Sequence, residues 1–230
     1  MANYLIIGAS SGIGKRVSEL LAESGHQVFG TYYKHEIHSE NLKLHALNVL
    51  DENISLDFLP ETLAGVIYCP GSINLRPFER IKPIDFINDY GLQVVGAIKI
   101  IQGVISKLKK CENAAIVLFS TFAVQTGLPY HSQVSASKGA IEGLTKALAA
   151  EYAPSIRVNC IAPSLTDSPL AASLLKSDLK RETNAQRHPL KRIGTTEDIA
   201  NMVEFLLSSK ASWITGQIMH VDGGISTLKI

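Results

Sequence analysis

Gly8-Ala9-Ser10-Ser11-Gly12-Ile13-Gly14 joins the apolar run Tyr4–Ile7 to the segment Ile13–Glu23, in which Val17, Leu20 and Leu21 share one face. The run has the length of a strand and the segment has the period of a helix. The glycines between them have a physical use. They permit a tight turn, let backbone N–H groups approach a pyrophosphate, and let the helix pack close to the strand. A strand, a glycine turn and a helix in this order open a dinucleotide site.

The alternation continues outward from that turn. Strands are expected at Gln27–Tyr32, Leu42–Val49, Gly65–Tyr68, Ala115–Ser120, Arg157–Ala162 and Gln217–Val221. Helices are expected at Ile84–Lys109, at Ser132–Tyr152 with Pro154 ending it, and at Thr196–Ser208 with Glu197 and Asp198 in its first turn. Strands alternating with helices build a parallel sheet covered on both faces, so the expected fold is α/β: a doubly wound parallel sheet in a single domain, 1–230. The irregular stretch Pro163–Arg192, with a short helical piece at Leu170–Leu179, reads as a lid over a binding site. Lys107, Lys109 and Lys110 read as a solvated helix end.

Composition narrows the function. The 230 residues are 46% hydrophobic and carry a formal net charge of +1. One large core is then available without staples, and a disordered chain is excluded. Nucleic acid is not an expected partner, because phosphate binding needs a basic face. The N-terminal apolar run stops at Gly8, so no membrane partner is expected. Cys69, Cys111 and Cys160 are widely spaced and odd in number, which points to free thiols and a cytoplasmic location. His35, His38 and His45 lack a carboxylate or thiol at ligand spacing, so no metal is expected.

The G-x-x-x-G-x-G spacing of the first turn, Ser135–Ala140, Ile156–Pro163 and Thr215–Gly224 together resemble the short-chain dehydrogenase/reductase family over nearly the whole chain. The resemblance implies a Rossmann-type fold, a nicotinamide dinucleotide, a small-molecule substrate and a homo-oligomer, dimer or tetramer. The cofactor contacts it implies are Gly8, Ser10, Ser11, Gly12, Ile13 and Gly14 in the turn and Tyr33 and Lys34 after the second strand. Further along they are Asn48 and Val49 after the third, Gly71 after the fourth, then Lys138, Pro163, Ser164 and Ser168, with Thr166 as the alternate to Ser168. Gly30–His35 contains no Asp or Glu, while Lys34, with Lys15 nearby, is suited to a 2′-phosphate. That favours NADP(H) over NAD(H). At about 250 residues in the family, the length of this chain points to shortening at Lys34–Asn41.

The same resemblance implies a Tyr acid, a Lys on the nicotinamide ribose, a Ser on the substrate oxygen and an Asn in the preceding long helix. Lys138 matches the Lys. Val134 stands at the Tyr position, Thr121 at the Ser position beside Ser120, and Gln93 at the Asn position. Valine has no proton to give, so another donor is required. His131 precedes Val134 by one helical turn and Lys138 by two, so helical spacing puts the three on one face, and imidazole titrates near neutral pH. Tyr130 is the second candidate. The expected function is an NAD(P)(H)-dependent oxidoreductase acting on a small carbonyl, hydroxyl or enoyl substrate with a non-standard proton donor. The alternative is a catalytically inactive NADP-binding or scaffold protein on the same fold, motivated by Val134.

Overall fold

Alternate residues of the first strand, β1 (Asn3–Ile7), enter two different cores: Leu5 and Ile7 one, Tyr4 and Ile6 the other. The same division runs along β5 (Ala114–Phe119), where Ala114, Ile116 and Leu118 oppose Ala115, Val117 and Phe119. A strand buried on both faces reads as a continuous apolar run, which is how a parallel sheet differs from a half-exposed antiparallel one. The computed structural model describes residues 1–34 and 42–229.

The remaining strands of this sheet are β2 (Gln27–Tyr32), β3 (Lys43–Ala46), β4 (Gly65–Tyr68), β6 (Ile156–Pro163) and β9 (Ile218–Val221). Their order is β3-β2-β1-β4-β5-β6-β9, and every pairing is parallel. The order reverses between β1 and β4, which is where a doubly wound sheet opens a crevice at its carboxyl edge. Helices α1 (Gly12–Glu23) and α7 (Thr196–Leu207) cover one face through Val17, Leu21, Ile199, Val203 and Leu206. Helices α3 (Gly96–Leu108) and α5 (Ser132–Tyr152) cover the other through Ile100, Val104, Ile141 and Ala149.

The expected Ile84–Lys109 helix is interrupted. It consists of α2 (Pro83–Tyr90), one π turn at Gly91–Val95, and α3. The Tyr68 hydroxyl donates to the Leu92 carbonyl at 2.5 Å, and a Cβ on Gly96 would lie 2.3 Å from that same hydroxyl. The strand end and the helix therefore meet too closely for a regular turn, and the extra residue of the π turn absorbs the misfit. At the far end the lysines are engaged rather than merely solvated: Lys107 donates to Pro60 O at 2.9 Å and Lys110 pairs with Glu61 at 2.7 Å.

Two further expectations are corrected. The third strand covers only Lys43–Ala46, because Asn48 and Asp51 form a side-chain-locked turn directly after it. In the lid the helical piece is displaced: a 3₁₀ segment covers Pro169–Leu174 and the helix, α6, covers Asp178–Gln186, with the Ser177 hydroxyl accepting from Lys180 N at its start. The lid is framed by two short strands that pair in parallel, β7 (Thr166–Asp167) and β8 (Gly194–Thr195). A one-turn helix, α4 (Ala123–Thr126), precedes α5. His45 stacks on Phe58 with ring centroids 3.9 Å apart; His35, His38 and the Lys34–Asn41 shortening lie outside the described residues apart from Lys34.

Candidate active site

The glycine turn is held against the sheet before any ligand is considered. Ala9 N donates to Thr31 O at 2.8 Å, and Gly8 N donates to the Thr31 hydroxyl at 3.2 Å. Gly8 and Gly12 have φ of +83° and +54°, and a Cβ on Gly14 would sit 2.2 Å from Gly8 O. Only glycine fits at Gly14, because the obstruction is backbone. Ser11 stands at the N-cap of α1 without a side-chain cap bond, and no acidic residue occupies the first turn. The positive end of that helix is thus open to an anion. A cofactor phosphate fits this cradle.

Beside the turn lies a cavity of about 620 Å³. It brings together Ile13, Gly71, Gln93, Thr121, Tyr130, His131, Lys138, Pro163, Ser164 and Ser168 from the sequence reading, with Val134 in the same wall. Apolar side chains from Ile73, Leu75, Phe122, Leu165, Leu170 and Leu174 make up much of the rest. Ser168 and Pro169 also approach Gly12, each within 3.6 Å of where its Cβ would stand, so the root of the lid rests on the glycine turn.

Lys138 reaches this cavity from α5. Burial pulls its ammonium down to about 8, opposed by Cys160, Asp89 and Cys69. The two thiols are themselves pushed up to about 12 by burial and stay neutral. Among the described residues no hydrogen-bond acceptor is in contact with Lys138 Nζ. Thr121 lines the cavity while its Oγ1 accepts from Ala123 N at 3.4 Å, so its proton is available. The neighbouring Ser120 hydroxyl is spent on Glu142 at 2.6 Å. His131 is the N-cap residue of α5, with φ −101° and ψ 9°, and so stands before the helix rather than on its Val134–Lys138 face. It enters the cavity from the cap, with Nδ1 2.7 Å from Pro129 O. A carbonyl only accepts, so Nδ1 carries a proton and Nε2 is the free position. Tyr130, at φ +69°, is exposed at the cavity edge.

The other expected cofactor residues are dispersed. Tyr33 and Asn48 line a second cavity of about 320 Å³ beyond β2 and β3. Lys34 is exposed, its Nζ 5.3 Å from the Tyr33 ring centre, and Lys15 is 3.8 Å from Glu19. Val49 is a core residue packed beneath Gly96. Ser10 and Ser11 remain in the turn.

Three comparisons bear on this geometry. Residues 59–226 match the family model described as Enoyl-(Acyl carrier protein) reductase. The chain is 31% identical to the 3-oxoacyl-(acyl-carrier-protein) reductase FabG of Thermotoga maritima, covering 96% of both chains. The chain belongs to the short-chain dehydrogenase/reductase family. Solved structures agree with that membership. The ligand-free aldohexose dehydrogenase of Thermoplasma acidophilum superposes with a TM-score of 0.93 at 26% identity, covering 99% of this chain and 95% of that one. ElxO with NADP bound gives 0.89 at 25% identity, covering 99% and 100%. This dehydrogenase/reductase is therefore an NAD(P)-dependent oxidoreductase of a single Rossmann-type domain, and the scaffold reading is not favoured.

In this dehydrogenase/reductase the sequence reading missed a buried polar group behind Lys138. Asp89, 4% exposed, accepts from the hydroxyls of Ser72 and Ser137 and from Gln93 Nε2. The signal available was the Asp89–Gln93 spacing of one helical turn and the place of Ser137 next to Lys138. It also missed His188, 3% exposed, which bridges the Ser164 hydroxyl and Asn184 O at 2.8 Å each and pins α6 to the end of β6. Nothing in the sequence but a lone histidine within the lid pointed to it.

Proposed function

We propose that this chain reduces, or in reverse oxidises, a small carbonyl, hydroxyl or enoyl compound with an apolar body, using NADP(H) in preference to NAD(H), with His131 in place of the family's tyrosine. The observation that supports the reading is one cavity lined by Lys138, Thr121, His131 and Val134, the last standing at the position where the family pattern has its tyrosine. The nicotinamide supplies the hydride when bound. Lys138 would hold the ribose hydroxyls through its ammonium, which has no other acceptor among the described residues. Thr121 donates a hydrogen bond to the substrate oxygen. His131, with Nδ1 committed to Pro129 O, gives or takes the substrate proton at Nε2. Tyr130 is the second donor at the same edge. The preference for the 2′-phosphate rests on Lys34 and Lys15 and on the lack of an acid in Gly30–Lys34.

The relatives named for acyl-carrier-protein thioesters support the apolar part of this substrate class, as do the leucines and phenylalanines of the cavity. The lid from Ser164 to Arg192 is proposed to close over it. A homo-oligomer, dimer or tetramer, in the cytoplasm completes the proposal. Exposed Ile84 and Ile87 on α2, with Phe78 just before it, support an assembled surface.

The deciding experiment measures NADPH and NADH binding by fluorescence, then turnover of an aldehyde, ketone and enoyl panel by wild type and His131→Ala. The expected result is tighter NADPH binding and a fall in kcat of about 10²–10⁴-fold in the variant. An unchanged rate and pH profile removes His131 from the mechanism. Tight binding without turnover anywhere on the panel favours the non-catalytic reading.

A further inference from the structure

Asp89 is a carboxylate buried behind the cavity residues Ser72 and Gln93, with no cation in contact among the described residues. Every group bonded to it is a donor: two hydroxyls and one amide NH₂, the latter 2.8 Å from both carboxylate oxygens. Its oxygens are thus occupied by donors from three residues. Its effect on Gln93 is directional. Because Nε2 is held by Asp89, the other end of the amide must face away, and Oε1 lies beside Gly71, which Lys138 Nζ also approaches. A Cβ placed on Gly71 would lie 3.5 Å from Gln93 Oε1 and 3.8 Å from Lys138 Nζ. Gln93 is 1% exposed, and its Oε1 is buried without a hydrogen-bond partner among the described residues. An orphaned buried carbonyl beside an unpartnered ammonium is a costly pairing unless a polar ligand enters between them.

We propose that Asp89 is the positioning residue of this site: it locks the Gln93 amide so that Oε1 faces Lys138. The groups facing Lys138 are Asp89 from α2, Cys69 from the end of β4 and Cys160 from β6. Burial pushes both thiols up to about 12. Ser72 and Ser137 hold the carboxylate in place from the loop after β4 and from α5. Asp89 touches neither cofactor nor substrate in this arrangement. It acts through Gln93 and Lys138. The ligand for which the pair is set is a hydrogen-bond donor and acceptor in one group, a hydroxyl or a water, able to accept from Lys138 and donate to Oε1.

The inference refines the role given to Lys138 above, so its test does not depend on turnover. Lysine side chains labelled with ¹⁵N would be titrated by NMR in wild type, Asp89→Asn and Gln93→Met, with Lys138 assigned by Lys138→Arg. Asp89→Asn keeps the shape and removes the charge, so the Lys138 midpoint is expected to fall by about one pH unit. Gln93→Met removes the facing carbonyl and should lower it by a smaller amount. NADPH affinity at pH 8 should fall about fivefold in Asp89→Asn and by less in Gln93→Met, since a midpoint one pH unit lower leaves about a tenth of the lysine as ammonium at that pH instead of about half. If Asp89→Asn does not fold, Gln93→Met alone decides. A Lys138 midpoint unmoved in the folded variants overturns the proposal, including where stability falls, because a purely structural role lowers stability without moving that midpoint. Wild type that fails to bind NADPH, with the Lys138 shifts intact, would instead count against the cofactor reading.

Discussion

Lys138 is the residue on which most of the proposed chemistry converges, and its environment gives a signed pH prediction. Its conjugate acid is held near 8, so the ammonium population falls as pH rises past that value. NADPH affinity should therefore weaken above about pH 8 and be flat below about pH 7. Lys138→Met should abolish that pH dependence and weaken binding about tenfold, read by fluorescence titration across pH. Val134 allows a complementary test. Its methyls line the cavity one helical turn before Lys138. Val134→Tyr on a His131→Ala background should recover at least about tenfold in kcat, since a phenol then supplies the lost proton. Lys138, Thr121 and the glycines were legible as cavity and turn residues because each stands at a fixed spacing in a local sequence motif. Asp89 was not, because its partners come from the loop after β4, the π turn and α5, and only the tertiary fold brings those together. His131 was legible as a cavity residue but not as a cap: helical spacing alone cannot tell the first residue of a helix from the one before it.

Elements show a different boundary of legibility. The strands and the long helices were readable from run length and period. The π turn was not, since its cause is the Tyr68 hydroxyl and Gly96 meeting across layers. The motif Arg157-Val158-Asn159 proves to be structural. Arg157, 7% exposed, donates to the Leu206 and Ser208 carbonyls at the end of α7, and Asn159 bonds Ile214 O and Gln217 N ahead of β9. Arg157→Met should cost about 2–3 kcal/mol, measured by urea unfolding, with cofactor affinity retained in the folded fraction. At the other end of α7, Thr195 and Asp198 form a capping box, and Arg192 holds the Asp198 carboxyl well below the usual carboxylate range. A carboxyl depressed on folding stabilises above its unfolded value and loses that contribution as pH falls toward the folded one. Asp198→Asn should cost about 1–2 kcal/mol at pH 7, and the difference from wild type should shrink as pH drops below about 4.

At the scale of the molecule, the two apolar cores on either face of the sheet leave one open edge, and the cofactor cradle and the substrate cavity share it. Binding there couples to global stability. NADPH at about 100 times its Kd should add about 2.7 kcal/mol, or roughly 5–10 °C in Tm for a domain of this size; NADH at the same concentration should add less. Scanning calorimetry with each cofactor reads both numbers. The fold class was visible from the chain because alternation and the first turn dictate it; the lid was visible only as irregularity, since its order comes from β7 pairing with β8 and from His188 reaching Ser164. The contact of Ser168 and Pro169 with Gly12 has a kinetic consequence. In the proposed arrangement the roof over the substrate would be seated on the floor of the cofactor cradle. Whatever enters that cradle must pass before the roof can settle, and whatever lies beneath the roof must leave before the cradle clears. Turnover would then follow a compulsory order, nicotinamide in first and out last, and product inhibition by oxidised cofactor should be competitive against the reduced one alone.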